Sequence, residues 1–233
     1  MVVAALEKFE IDYLSENSKL IYENKAHITL GISPFTSKYC KDYIDKLITW
    51  ANENFANITI LLAGKESVNI LESLGVSELK ASRKVRKELN RQKRFCEESL
   101  IKNNRDTNCI YTFSDFEDNN VYQNLYKKIS ICFNNDSYFK ESCLKMSEQA
   151  MKSKAKNMNV SEDIITKEKI EYAAKYVLAE LPFFLNAAPI FNVKETILSY
   201  HTDWELGKKI NNNEFDLKLS DTQGYITLKD RRE

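Results

Sequence analysis

This 233-residue chain has two histidines, no Cys-x-x-Cys pair, no net charge and no long unbroken apolar run, and each absence removes a class of function. With only His27 and His201 present, a Ser-His-Asp triad finds no supporting spacing. The five cysteines (Cys40, Cys96, Cys109, Cys132, Cys143) are widely spaced and read as reduced, mostly buried thiols, with no metal or redox pair expected. With 34 basic and 34 acidic side chains there is no global attraction to nucleic acid or anionic lipid, so any polyanion site must be local. The stretch from Met1 to Leu6 lacks a basic flank, and the stretch from Leu181 to Phe191 is broken by Pro182, Asn186 and Pro189. Neither a signal peptide nor a membrane span is expected, and the chain reads as cytoplasmic. Without repeats or low-complexity linkers, it reads as one domain over residues 1–233, its core at about 26–205 and a polar tail from about 211.

What is present points to an α/β fold. His27 to Ile32 alternates, while Asn57 to Gly64 is the near-continuous apolar run of a strand buried on both faces. Between them, residues 37–55 have helical spacing, which makes a βαβ unit and hence a parallel sheet flanked by helices. Glu66 to Leu74 predicts a short helix closed by Gly75, with Ser77 capping a long one after it. Residues 108–113 predict a third strand, 121–132 and 136–157 two helices, and Ser161 the start of another that Pro182 disturbs. Thr196 to Tyr200 predicts a short extended piece, and Gln223-Gly224 a hairpin turn.

Three features carry chemistry. The first is Gly31-Ile-Ser33-Pro34-Phe35, which places a hydroxyl at a strand's carboxyl edge, where loops and backbone donors converge on ligands. The G-x-S-x-G elbow of serine esterases is incomplete there. The second is a cationic stripe. At 100° per residue Lys80, Arg83, Lys84, Lys87, Arg91 and Arg94 fall within about a third of a helix circumference, opposite Val85, Leu89 and Cys96. That ridge, roughly 20 Å long, suits a nucleic-acid backbone, although a solvated helix face is the plainer reading. The third is Tyr176 with Glu180, four residues apart on one helix face among apolar neighbours. A carboxylate in such surroundings has a raised pKa or finds a cation, either a substrate ammonium or a lysine of this chain.

Together with Leu62-Ala-Gly64, Leu181-Pro-Phe-Phe-Leu-Asn186 and Tyr200-His201, these motifs resemble the cyclodipeptide synthases over about residues 26–205, in order and spacing. The resemblance implies a Rossmann-like fold akin to the catalytic domain of tyrosyl- and tryptophanyl-tRNA synthetases, and an acyltransferase that takes two aminoacyl-tRNAs. It also implies no ATP, no cofactor and no membrane, and the chain is expected to be a monomer. No H-I-G-H signature occurs, and Lys145-Met-Ser147 continues into a helical pattern unlike a K-M-S-K-S loop.

Carried over residue by residue, the resemblance makes Ser33 the nucleophile that accepts the first aminoacyl group. It makes Tyr176 and Glu180 the holders of its ammonium, and Tyr200 a positioning and proton-transfer residue. Thr29, Gly31, Leu61, Leu185 and Leu198 would line a small apolar first pocket that suits leucine, with His201 beside it. One subgroup of the family carries Asn three residues after the nucleophile and Tyr-His later. This chain has Thr36 there, a hydroxyl in place of the amide, with Tyr200-His201. The rival readings are a noncatalytic tRNA-binding module and a serine esterase.

Overall fold

The computed structural model describes residues 9–231, so the expectation for Met1 to Leu6 lies outside the described residues. In chain order the elements are β1 (Phe9–Tyr13), α1 (Glu16–Asn24), β2 (His27–Ile32), α2 (Lys41–Asn54), β3 (Asn57–Leu62), α3 (Ser67–Ser73) and α4 (Glu78–Lys102). They continue with β4 (Ile110–Thr112), α5 (Asn120–Asn135), α6 (Ser137–Met158), α7 (Lys167–Ile190), β5 (Thr196–Tyr200), α8 (Glu205–Asn211) and β6 (Gln223–Asp230). The six strands form one sheet in the order β1-β6-β5-β2-β3-β4, parallel except for β1, which runs antiparallel to β6.

Every residue of β2 is buried, because helices cover both faces of the sheet. Ile28, Leu30 and Ile32 join Ile60 and Leu62 in the core toward α2 and α4, which includes Ile44, Ile48, Cys96 and Leu100. Leu61 and Leu198 face the other way, into a core with Phe183, Leu185 and the rest of α7. Among the described residues no helix is long and apolar enough to cross a membrane.

The α/β expectation holds, and several local expectations do not. Gln223-Gly224 is no hairpin turn. It opens β6, which lies between β1 and β5, so the segment expected to be a polar tail buries Tyr225, Ile226 and Leu228. Gly224 is required by close approach: a Cβ there would lie 3.2 Å from the backbone of Ser18 and 2.6 Å from Ile197 Cδ1. The final helix begins at Lys167, capped by Thr166, whereas Ser161 caps only a 3₁₀ turn at Glu162–Ile164. Ser77 sits at the N-cap of α4 without a side-chain cap bond.

Pro182 does not end α7, whose buried surface extends to Ile190; the break falls at Asn186 (φ −164°, ψ 71°). Pro189 offers no N–H to the carbonyl four residues earlier, that of Leu185, and the Ser220 N–H takes its place at 2.9 Å. The Ala187 N–H at the same break donates to the Gln223 Oε1 at 2.8 Å. The C-terminal segment thus satisfies backbone groups that Pro189 and the kink leave open. Of the thiols, Cys96 and Cys143 are buried, Cys109 and Cys132 are half-buried and Cys40 is exposed, so burial is less general than expected.

Candidate active site

In the strand order, β2 has β3 on one side and β5 on the other, so the chain reverses its winding direction between β2 and β5. Loops leaving the carboxyl ends of two such strands diverge and open a crevice. Ser33 directly follows β2, and Tyr200 ends β5 at that crevice. The register pairs Thr29 with Leu198 across β2 and β5, and Gly31 with Leu61 across β2 and β3.

Gly31 lets the ring of Tyr200 lie against β2. A Cβ on Gly31 would stand 2.2 Å from Tyr200 Cε2 and 2.7 Å from Cζ. The Tyr200 hydroxyl then donates to Glu180 Oε1. Glu180 is 4 % exposed, and among the described residues no lysine or arginine bridges it, so of the two partners left open by sequence the internal lysine is not the one found. Burial pushes its carboxyl up to about 7, opposed by the bond from Tyr200. Tyr39, Tyr176, Tyr200 and Tyr225 surround this carboxyl, and burial together with its charge holds their hydroxyls well above the ordinary phenol range. Gly31→Ala is expected to displace the Tyr200 ring, break its bond to Glu180 and destabilise the fold by about 1–3 kcal/mol, the range for overpacking. Denaturant unfolding checks this, and an unchanged midpoint would contradict the close approach.

His201 is engaged with Tyr39. Its Nδ1 lies 3.0 Å from the Tyr39 hydroxyl, which donates to the Gly31 carbonyl at 2.8 Å, so the histidine nitrogen is the donor and β2 is braced through Tyr39. His27 is buried, its pKa lowered to about 4, and its two ring nitrogens meet Thr196 Oγ1 and Thr59 Oγ1. Thr29 joins this network through Thr196 Oγ1 at 2.9 Å, a structural engagement of the side chain.

A groove of about 480 Å³ opens at Ser33, with Thr36, Ile70, Ala150, Lys154, Asn157 and Tyr176 among its walls. It brings together Ser33, Thr36 and Tyr176 of the expected site. Leu61, Leu185 and Leu198 lie in the buried core beneath, at 2 % exposure or less, and the groove's walls come from α3, α6 and α7. A second groove of about 440 Å³, between α4 and the carboxyl ends of β3 and β4, contains none of the expected site residues. The Ser33 Oγ makes no hydrogen bond among the described residues. The backbone N–H of Phe35, one of the turn groups suited to an oxyanion, is already engaged by Glu88 at 3.3 Å. Sequence reading missed Tyr39, Gln92, Lys154 and Tyr225, whose roles depend on contacts across the fold. Tyr39 and Lys154 are unremarkable positions on the sequence pattern alone.

Helix α4 buries Ala81, Val85, Gln92, Cys96 and Leu100 and exposes all six expected cations. The ridge is uneven. Arg91 pairs with Glu88 at 2.6 Å and Arg94 with Glu98 at 3.8 Å, whereas Lys80, Arg83, Lys84 and Lys87 have no carboxylate partner among the described residues. Unneutralised charge on its N-terminal half is therefore available to an external polyanion.

The chain matches the family description "Cyclodipeptide synthase" over residues 9–230. It is 57 % identical over 227 residues to a cyclo(L-leucyl-L-leucyl) synthase of Staphylococcus haemolyticus, covering 97 % of each chain. A crystal structure of a cyclodipeptide synthase from Bacillus thermoamylovorans superposes with a TM-score of 0.93 at 52 % identity, over 96 % of this chain and 97 % of that one. The fold extends further: the tyrosyl-tRNA synthetase of Archaeoglobus fulgidus matches with a TM-score of 0.53 at 11 % identity, over 95 % of this chain and 60 % of that one.

Proposed function

Because the chain belongs to the cyclodipeptide synthase family, enzymes of aminoacyl transfer, we propose that it joins two leucyl groups from two leucyl-tRNAs into cyclo(Leu-Leu) through an aminoacyl-Ser33 ester. The observation that carries this reading is Glu180: a buried carboxyl, bonded by Tyr200 and, among the described residues, by no cation, at the crevice where Ser33 emerges. An α-ammonium supplies the missing partner, and Tyr176, one helical turn away, helps to hold it.

Atoms balance without ATP. Ser33 Oγ attacks the ester carbonyl of the first leucyl-tRNA, and the bond to the tRNA's terminal ribose oxygen breaks as that oxygen receives the serine proton. The amine of the second leucyl-tRNA attacks the seryl ester, returning a proton to Ser33 Oγ and leaving dipeptidyl-tRNA. Its free amine then closes on its own ester carbonyl and releases the second tRNA. An aminoacyl ester is already activated, so orientation supplies most of what the enzyme must add, an effect that reaches about 7–11 kcal/mol in well-ordered systems. Tyr200 positions the aminoacyl group and relays the proton. Gly31, Leu61, Leu185 and Leu198 form the buried layer beneath the groove that takes its side chain, and His201 braces β2 through Tyr39. The ridge of Lys80, Arg83, Lys84, Lys87, Arg91 and Arg94 takes the tRNA backbone. The enzyme works in the cytoplasm, as a monomer.

Incubating the purified protein with leucyl-tRNA and no ATP is expected to release cyclo(Leu-Leu), read by mass spectrometry, with two tRNAs freed per product; intact leucyl-tRNA after long incubation would refute the reading. Replacing Arg83, Lys84 and Lys87 by Ala is expected to weaken tRNA binding and flatten its salt dependence, by about 0.7–0.9 in log–log slope for each phosphate left unneutralised. Filter binding across a salt series measures this, and an unchanged slope removes the ridge from the interface.

A further inference from the structure

The turn that carries Ser33 is gripped at both peptide groups around Pro34. Phe35 has φ 60°, a left-handed conformation that bulky residues adopt only where their surroundings impose it. Its N–H donates to Glu88 Oε1 at 3.3 Å, and its carbonyl accepts from Lys154 Nζ at 3.3 Å. The same Nζ sits 3.9 Å above the Phe35 ring. The Ser33 carbonyl accepts from Gln92 Nε2 at 3.0 Å. Gln92 is fully buried and its Oε1 has no hydrogen-bond partner, so an amide is kept in the core for a single bond, where an aliphatic side chain would fill the space without an unpaired polar atom. Ser33 Oγ has no partner of its own among the described residues, and its aim is therefore set by the backbone of this turn.

We propose that Gln92, Glu88 and Lys154 are positioning residues that hold Ser33 in attacking geometry, and that Glu88 ties this turn to the cationic ridge through Arg91. Glu88 Oε1 accepts from Arg91 Nη2 at 2.6 Å while it accepts from Phe35 N–H, so one half-buried carboxylate touches both the nucleophile's turn and the ridge. Glu88 and Gln92 lie one turn apart on α4, and Lys154 approaches from α6 on the other side. The inference rests on Ser33 as the nucleophile.

The test measures acylation of intact protein by leucyl-tRNA with mass spectrometry, alongside tRNA affinity and thermal unfolding. Gln92→Leu is expected to unfold at or above the wild-type temperature and to bind tRNA normally, yet to acylate about 10- to 100-fold more slowly, the scale of a misplaced reacting group. Glu88→Ala should also acylate slowly. Glu88→Gln, which keeps an acceptor for Phe35 N–H but loses the charge pair to Arg91, should recover most of the acylation rate. Wild-type acylation by both Gln92→Leu and Glu88→Ala, or a loss confined to tRNA affinity, overturns the proposal. A wild-type protein that takes up no adduct overturns the nucleophile reading and this inference with it, so the two failures are told apart by the wild type alone.

Discussion

Ser33→Ala is expected to carry no aminoacyl adduct after incubation with leucyl-tRNA, and to form cyclic product at least about 10³-fold more slowly than the wild type, the scale on which loss of a nucleophile is felt. The substitution is structurally mild. Ser33 is half-buried, its Oγ holds no hydrogen bond among the described residues, and the contacts that shape the turn go to its carbonyl and to Phe35. Stability should move by less than about 0.5 kcal/mol, as for substitutions away from buried packing and hydrogen-bond networks. The ridge on α4 is untouched, so tRNA affinity should persist. Intact-protein mass spectrometry separates the outcomes: a full-strength adduct on the alanine variant would place the ester on another residue, and a variant that fails to bind tRNA would point to misfolding.

Glu180→Gln is expected to change stability and activity in opposite directions. The folded carboxyl titrates near 7, against 4.5 for the ordinary side chain, because burial penalises its charged form. In this case the folded-state value is the raised one, so the wild type loses stability as pH rises from about 4.5 to 7, and the loss levels off just above. At about 1.4 kcal/mol per unit the total is about 3 kcal/mol, an order-of-magnitude figure reached once both states are ionised. Glutamine keeps an acceptor for the Tyr200 hydroxyl and carries no charge. The variant should therefore melt several degrees above the wild type at pH 8, with the difference vanishing by pH 4.5.

Acylation should suffer in return. Losing a charge-assisted bond to the incoming ammonium costs about 1.5–3 kcal/mol, or roughly 10- to 100-fold in rate. The wild type should also weaken in apparent leucyl-tRNA affinity as pH falls through about 7, while the variant shows no such inflection. A Glu180→Gln protein with wild-type turnover would make the carboxyl structural, and one less stable than the wild type at pH 8 would mean that a cation pairs with it in the fold.

A carboxylate kept at a cost in stability explains why Glu180 was legible early: an acidic residue among Val177, Leu178, Leu181 and Phe183 is conspicuous in any helical projection. The ridge was legible for the same reason, since a period of 3.6 states directly which side chains of α4 share a face. The turn at Ser33 was legible because a buried strand stops at it. What escaped was every feature made by residues far apart in the chain. Gln223-Gly224 has the composition of a turn, and it is a strand start because α1 and the kink of α7 meet it there. Thr36 is a groove residue by position, while the brace at the end of β2 is Tyr39 with His201, 162 residues apart in sequence.

Periodicity and local breaks thus determined, from the amino acids alone, the α/β class, the basic face and the candidate nucleophile and carboxylate, because burial of a face is written every two or three to four residues. Only the tertiary structure decided which tyrosine bonds Glu180, how its charge is penalised, where β6 inserts and what holds Phe35 in its left-handed conformation. Those outcomes depend on which groups meet across the fold and on how much water their meeting excludes, and neither quantity is a property of any local stretch of chain.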